Sequence, residues 1–173
     1  MQLARERDGP ALLRYQIANR AHLSPWEPLR QEDFYTPEAV ESRLRVMTRQ
    51  HDAQSALHLL LLDDDQQSVI GECNFTNIVR GPFQACHLGF SIDSRLEGRG
   101  LMAASLRVAI DHVFTELALH RIMANYRPEN ERSGALLARL GFEREGYARR
   151  YLKIGGIWTD HVLTALINPS DLI

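Results

Sequence analysis

The 173-residue chain carries 20 basic and 22 acidic side chains, a formal net charge of −2 with its seven histidines neutral, and 45% of it is apolar. Those figures fit one globular domain over residues 1–173 with enough chain for a core, and they exclude disorder and the clustered Lys and Arg of non-specific nucleic-acid binding. No stretch approaches the roughly 18 apolar residues of a membrane span, Met1 to Pro10 lacks the apolar core of a secretory signal, and Cys73 and Cys86 are too few for a disulfide framework or zinc site, so a cytoplasmic location is expected.

No internal repeat or low-complexity segment interrupts the chain. Leu12, Leu13 and Ile17 recur at helical spacing after Gly9-Pro10. A loop holding Pro25, Trp26, Glu27 and Pro28 follows. Thr36-Pro37-Glu38 then starts a second helix, with Thr as N-cap, Pro at N1 and an acid in the first turn. Val40, Leu44 and Met47 share one face of it. Three short apolar runs, Leu57 to Leu62, Val69 to Phe75 and Ala85 to Asp93, are separated by Asp63-Asp64-Asp65 and Arg80-Gly81-Pro82, and predict an antiparallel meander. Beyond Gly98-Arg99-Gly100, Met102, Leu106, Ile110, Val113 and Leu117 mark an amphipathic helix. His120 to Arg127 alternates as a strand. Asn130 opens a helix closed by Gly141, and Gly155-Gly156 suits a hairpin turn between two final strands. The order is α+β rather than a regular βαβ alternation.

The segment from Leu88 to Leu101 carries the most chemistry. It joins a strand to a helix through Gly98-x-Gly100, a turn that can aim successive backbone N–H groups at an anion beside the positive helix end. Arg95 and Arg99 could add charge-assisted bonds to phosphate. A turn that needs glycine geometry, with two solvated arginines, has the same pattern. The third glycine of a dinucleotide fingerprint is absent, as is a P-loop lysine.

Read with the downstream segments, Arg95-x-x-Gly98-x-Gly100 resembles the R/Q-x-x-G-x-G/A loop of the GNAT acetyltransferases. Asn130-Glu131-Arg132-Ser133 and Leu140-Gly141-Phe142-Glu143 resemble that superfamily's N-x-x-S/A and LGF segments. Pro25-Trp26-Glu27-Pro28, Asn74-Phe75-Thr76-Asn77 with Val79-Arg80-Gly81, and Trp158-Thr159-Asp160-His161 look like the bacterial ribosomal-protein alanine N-acetyltransferases of the RimJ type. The resemblance implies a mixed, mostly antiparallel sheet with helices on both faces and a splayed strand pair that holds acetyl-CoA as co-substrate. It implies that Gly89, Phe90, Ser91 and Ile92 bind the pantetheine arm, with the Phe90 N–H facing the thioester oxygen. Arg95, Leu96, Glu97, Gly98, Arg99, Gly100 and Leu101 would cradle the pyrophosphate, and Asn130 and Ser133 would complete the cofactor site. No metal is implied, and the histidines lack ligand spacing.

Many family members place a tyrosine acid seven residues after the asparagine; here that position is Leu137, and Ser133 matches the serine that related enzymes use to protonate the thiolate. The glutamate that some relatives carry as base is replaced by Leu152. A peptide α-amine has a pKa of roughly 7.7–8.0 against roughly 10.4 for lysine, so a site without a strong base favours an α-amine. Glu27, Glu72 and Asp160 stand as candidates for amine binding or relayed proton removal, and Trp26, Asn74 and Asn77 as further acceptor contacts; a surface charge or turn carboxylate is the more usual role of such acids, and a packed loop anchor that of such a tryptophan. The implied partner is a protein N-terminus, that of a ribosomal protein starting with Ala, with ribosome association, no direct nucleic-acid or membrane contact, and a monomer or homodimer. A small-amine or antibiotic acceptor, and a non-catalytic acetyl-CoA-binding module, are the competing readings. The edge strand that usually opens the family is short or clipped, since only Met1 to Arg5 precede the first helix.

Overall fold

The computed structural model describes residues 1–171; the last two residues of the expected domain lie outside the described residues. Thr36 caps the second helix, its hydroxyl accepting from Ala39 N at 3.2 Å, a contact worth about 1 kcal/mol. In chain order the elements are β1 (Gln2–Leu3), α1 (Gly9–Leu23), α2 (Pro37–Asp52), β2 (Leu57–Leu62), β3 (Val69–Val79), β4 (Ala85–Ile92), α3 (Leu101–Thr115), β5 (Arg121–Met123), α4 (Glu131–Arg139), β6 (Glu143–Ile154) and β7 (Ile157–Ile167). Among the described residues no helix is long and apolar enough to cross a membrane.

The strands form one open sheet in the order β1-β2-β3-β4-β5-β7-β6. Every pairing is antiparallel except β4 with β5. The continuous leucine run of β2 follows from burial on both faces. Leu57, Leu59 and Leu61 join Cys73, Phe75, Leu106, Val113 and Leu137 in one core, while Leu60 joins Leu12, Tyr15, Val40 and Leu44 in another. Helices therefore cover both faces: α3 and α4 pack into the first core, and α1 and α2 into the second.

Two details differ from the sequence reading. Ile17 is 53% exposed, and the inner face of α1 is instead Leu12, Tyr15, Gln16 and Asn19. Polar residues on that face hid it from an apolar count. The strand expected over His120 to Arg127 is regular only through Met123. There β5 pairs with His87 of β4 and goes no further along it, although β4 continues to Ile92. The chain beyond stays bonded to β7 instead, through Ala124 N to Thr164 O at 3.0 Å and Tyr126 with Val162. β4 and β5 thus part company after His87, leaving the Leu88–Ile92 edge of β4 without a strand partner.

Candidate active site

A cavity of about 980 Å³ opens beside that parted edge. Phe90, Ser91 and Ile92 of β4 form one wall, and Leu96, Glu97, Gly98, Gly100 and Leu101 form the next. Asn130, Arg132, Ser133 and Arg139 come from the α4 segment, and Trp26 with Glu27 from the α1–α2 loop. Gly98 and Gly100 have φ of +74° and +78°, and a Cβ at either would meet nothing within 4 Å. The glycines supply left-handed backbone there, and their open surroundings leave room for a ligand. Gly100 stands at the N-cap of α3, where unpaired N–H groups and the helix dipole favour an anion.

Asn130 caps α4 through Oδ1, which accepts from Ser133 N at 3.1 Å. That bond engages the Ser133 backbone and not its hydroxyl, which borders the cavity and has no hydrogen-bond partner among the described residues. Leu137 is 1% exposed and belongs to the core.

The charges are distributed differently from the sequence reading. Arg95 is clasped to Asp93 through Nε at 2.9 Å and Nη2 at 2.7 Å, and its side chain does not line the cavity. The guanidinium, helped by the Arg95 N–H, holds the buried Asp93 carboxyl down at about 2. Asn19 completes this bracket by accepting from Ser94 N at 3.0 Å. Arg99 also lies off the cavity wall. The cationic side chains on the wall are Arg132 and Arg139, with His22 beside them. Glu97 bonds to Arg132 and lies 3.1 Å from His22 Nε2, so it holds them at the cavity mouth. Arg132 and Arg139 escaped the sequence reading, although their spacing of seven, with Ala135 and Leu136 between, is that of one helix face.

Behind the β4 wall, α1 reaches Ser91. Tyr15 Oη lies 2.8 Å from Ser91 Oγ, and burial pushes the phenol far above its ordinary ionisation. Directly opposite Ser91 in the β3–β4 register is Glu72, 9% exposed. Burial, reinforced by the negative charge of Glu27, raises the Glu72 carboxyl to about 7, against the opposing influence of Gln16, Arg43 and Asn74. Burial also raises Glu27, whose nearest cation, Arg30, is 3.8 Å away. The loop carrying Glu27 is fixed from the far side of the sheet. Gly155 N, in the β6–β7 turn, donates to Glu27 O at 2.9 Å, and Arg127 donates to Pro25 O at 2.8 Å with its guanidinium 5.6 Å from the Trp26 ring centroid.

Three expected acceptor contacts lie elsewhere. Asn74 Oδ1 is 2.7 Å from His58 Nδ1, Asn77 sits exposed at a β3 irregularity with φ +52°, and Asp160 accepts from Tyr147 Oη and Arg150 N at 2.8 Å. None of the three borders the cavity, and neither does Gly89. Among the described residues no three His, Cys, Asp or Glu side chains gather as metal ligands. Cys73 and Cys86 are buried, and burial pushes both thiols up to about 12, which leaves them neutral.

Residues 1–143 match the acetyltransferase (GNAT) domain family. The chain belongs to the GNAT acetyltransferases. It is 48% identical over 170 residues to the [ribosomal protein uS5]-alanine N-acetyltransferase of Escherichia coli (strain K12), covering 98% of this chain and 88% of that protein. The crystal structure of the ribosomal-protein-S5-alanine acetyltransferase from Vibrio fischeri superposes with a TM-score of 0.93 at 42% identity, covering 97% of this chain and 92% of that one. Mycobacterium smegmatis RimJ in complex with CoA-disulfide superposes at 0.89 with 32% identity, covering 97% and 80%. The mixed seven-stranded sheet is the GNAT fold. GNAT enzymes take their acetyl group from acetyl-CoA, and the parted β4 edge, the open glycine turn and the α4 arginines fit an extended thioester arm joined to a diphosphate.

Proposed function

We propose that this chain acetylates the N-terminal α-amine of a ribosomal protein beginning with alanine, of the S5 class, in the cytoplasm and as one catalytic domain. The observation that carries the reading is the 48% identity over 98% of the chain to an enzyme named for that reaction. The cavity chemistry agrees with it. Acetyl-CoA supplies an activated acyl carbon and a good thiolate leaving group.

On this reading the unpaired β4 edge from Gly89 to Ile92 lends its backbone to the pantetheine amides. The Phe90 N–H faces the developing oxyanion, an interaction of the kind that contributes about 3–4 kcal/mol to acyl transfer. The N–H groups from Leu96 to Leu101 cradle the diphosphate, with Arg132 and Arg139 as counter-charges at the mouth. Arg95 serves indirectly, by fixing Asp93 and the turn after β4. Asn130 sets the start of α4, and the Ser133 hydroxyl protonates the departing sulfur. Trp26 and Glu27 border the acceptor.

Thiol release from acetyl-CoA is to be compared for a peptide beginning with Ala, an N-terminally blocked lysine peptide and spermidine. The Ala peptide is expected to be fastest by at least about tenfold, since its amine, near 7.7–8.0, is far easier to deprotonate than lysine at about 10.4. Faster turnover of either other amine overturns the acceptor assignment. Failure with all three, despite saturable coenzyme A binding, overturns the enzyme itself. Ser133→Ala should lower kcat by about 10²-fold, and unchanged turnover removes Ser133 from the acid role.

A further inference from the structure

Glu72 is a carboxylic acid in the buried first half of β3, on the side of the sheet that faces α1. It is nine-tenths buried, and its neighbours explain how it is held. Arg43 Nη2 donates to Gln16 Oε1 at 2.8 Å, and Asn74 Oδ1 faces His58 Nδ1 at 2.7 Å. The Gln16 and Asn74 side chains are also hydrogen-bond partners of the Glu72 carboxyl and favour its charged form. Glu72 does not border the cavity. Two groups that act on it do: Ser91, opposite it across β3–β4, and Glu27, whose charge reaches it from the loop pinned by the β6–β7 turn.

We propose that Glu27 and Glu72 act as a two-carboxylate proton acceptor for the incoming amine, Glu27 meeting the amine at the cavity wall and Glu72 holding the proton behind it. The proposal rests on the acyl-transfer reading above. It places the base on the α1 side of the sheet, whereas the strand position where some relatives carry a glutamate holds Leu152, 44% exposed.

The ammonium gives one proton to Glu27, which passes it to Glu72. The neutral nitrogen attacks the thioester carbon, the N–C bond forms and the C–S bond breaks, and the thiolate takes a proton from Ser133. The second amine proton returns to Ser133 as the amide forms, and the proton held on Glu72 leaves to solvent before the next turnover. Of the two carboxylates Glu72 is the better proton store at neutral pH, because it is the more deeply buried and sits beside a second negative charge. The titratable and charged groups that face it are Tyr15 from α1, kept neutral by burial, Arg43 from α2, Glu27 from the loop, and His58 from β2 behind Asn74, also pushed toward neutrality by burial. Asp93 at the end of β4 is neutralised by Arg95.

The test uses whichever of the three amines turns over fastest, so it is independent of which acceptor is correct. With an α-amine, Glu72→Gln should lower kcat about 100-fold at pH 7. At pH 9, where that amine arrives uncharged, the loss should shrink below about tenfold; for an ε-amine the convergence moves to correspondingly higher pH. Glu27→Gln should behave alike, and coenzyme A affinity should stay within about threefold in both. Calorimetric titration of the amine into the coenzyme A complex, in buffers of different ionisation enthalpy, should show the wild type releasing about half a proton at pH 7 and Glu72→Gln releasing none. Arg43→Gln keeps both carboxylates but removes the cation facing Glu72, so the acid limb of kcat/KM should move to higher pH. An equal loss at both pH values, a variant within threefold of wild type at pH 7, proton release that persists in Glu72→Gln, or an unmoved limb in Arg43→Gln overturns the proposal.

Discussion

Replacing Glu72 by glutamine should stabilise the protein at pH 8 while leaving it nearly unchanged at pH 5. The carboxyl sits at about 7 in the fold against an ordinary value of 4.5, with burial as the main cause. The unfolded chain therefore loses this proton first. Between about 4.5 and 7 the folded state holds the extra proton, so stability falls as pH rises through that window and levels off above it. At about 1.4 kcal/mol for each tenfold difference, this single group lowers stability by about 3 kcal/mol at pH 8 relative to pH 4. Glutamine keeps the shape and hydrogen-bonding capacity of the protonated acid and has no proton to lose.

The assay is urea unfolding of wild type and Glu72→Gln at a series of pH values, read as the difference between the two. Other titrating groups cancel in that difference. It should rise in the variant's favour from about pH 5 to pH 7.5 by up to about 3 kcal/mol, which for a chain of this length corresponds to about 6–12 °C in Tm. A difference that is flat with pH, or that favours wild type more as pH rises, refutes the reasoning, since Glu72 would then ionise at least as readily folded as unfolded.

Leu137→Tyr restores the family's tyrosine by residue type but places it at a position only 1% exposed within the α3–α4 core; it should destabilise by about 1–3 kcal/mol in urea unfolding and give no gain in kcat. Gly71→Ala would bring a Cβ to 2.7 Å from Ser91 O, so the β3–β4 pairing must shift, and both thermal stability and the KM for acetyl-CoA should worsen. Arg132→Ala should weaken coenzyme A binding by about five- to tenfold at low salt, the loss of one charge-assisted bond. Arg95→Ala should act mainly on stability at neutral pH, because its charge is engaged by Asp93; calorimetric binding beside thermal unfolding separates the two.

The order of elements was legible because each boundary has its own local chemistry. Thr36 before Pro37, Gly141 after α4 and the Gly155-Gly156 turn each act within a few residues of themselves. The end of β5 was not legible. The alternation from His120 to Arg127 is present, but it records only that one side stays paired, here to β7, and cannot record that the β4 side is lost. Since that loss forms the cavity wall, the splayed strand pair was to be expected from the family resemblance alone and not from any local pattern. The glycine turn was legible for the opposite reason, since backbone geometry is written in residue type. The cations were not. Arg95 has the right spacing for a phosphate, yet Asp93, two residues earlier, takes both arms of its guanidinium.

Glu72 was one of three acidic candidates in the sequence, and the structure makes it an oddity, a carboxylate between buried Gly71 and Cys73. Its environment gives that oddity a direction. A buried acid held near neutrality lowers the stability of the folded state at working pH, and an amide or apolar residue of similar volume would relieve the cost. The protein nonetheless places this acid opposite a cavity-lining serine, surrounds it with amides from α1 and β3, and sets a second carboxylate at the cavity edge. Such an arrangement is poorly suited to stabilising the sheet and well suited to accepting a proton from an ammonium ion. The two experiments on Glu72→Gln therefore constrain each other. A variant that is more stable at pH 8 and slower at pH 7 identifies the carboxylate as a functional group held at a cost to the fold, whereas a variant that is less stable and slower by the same factor at every pH identifies it as a structural member of the β3–β4 pair.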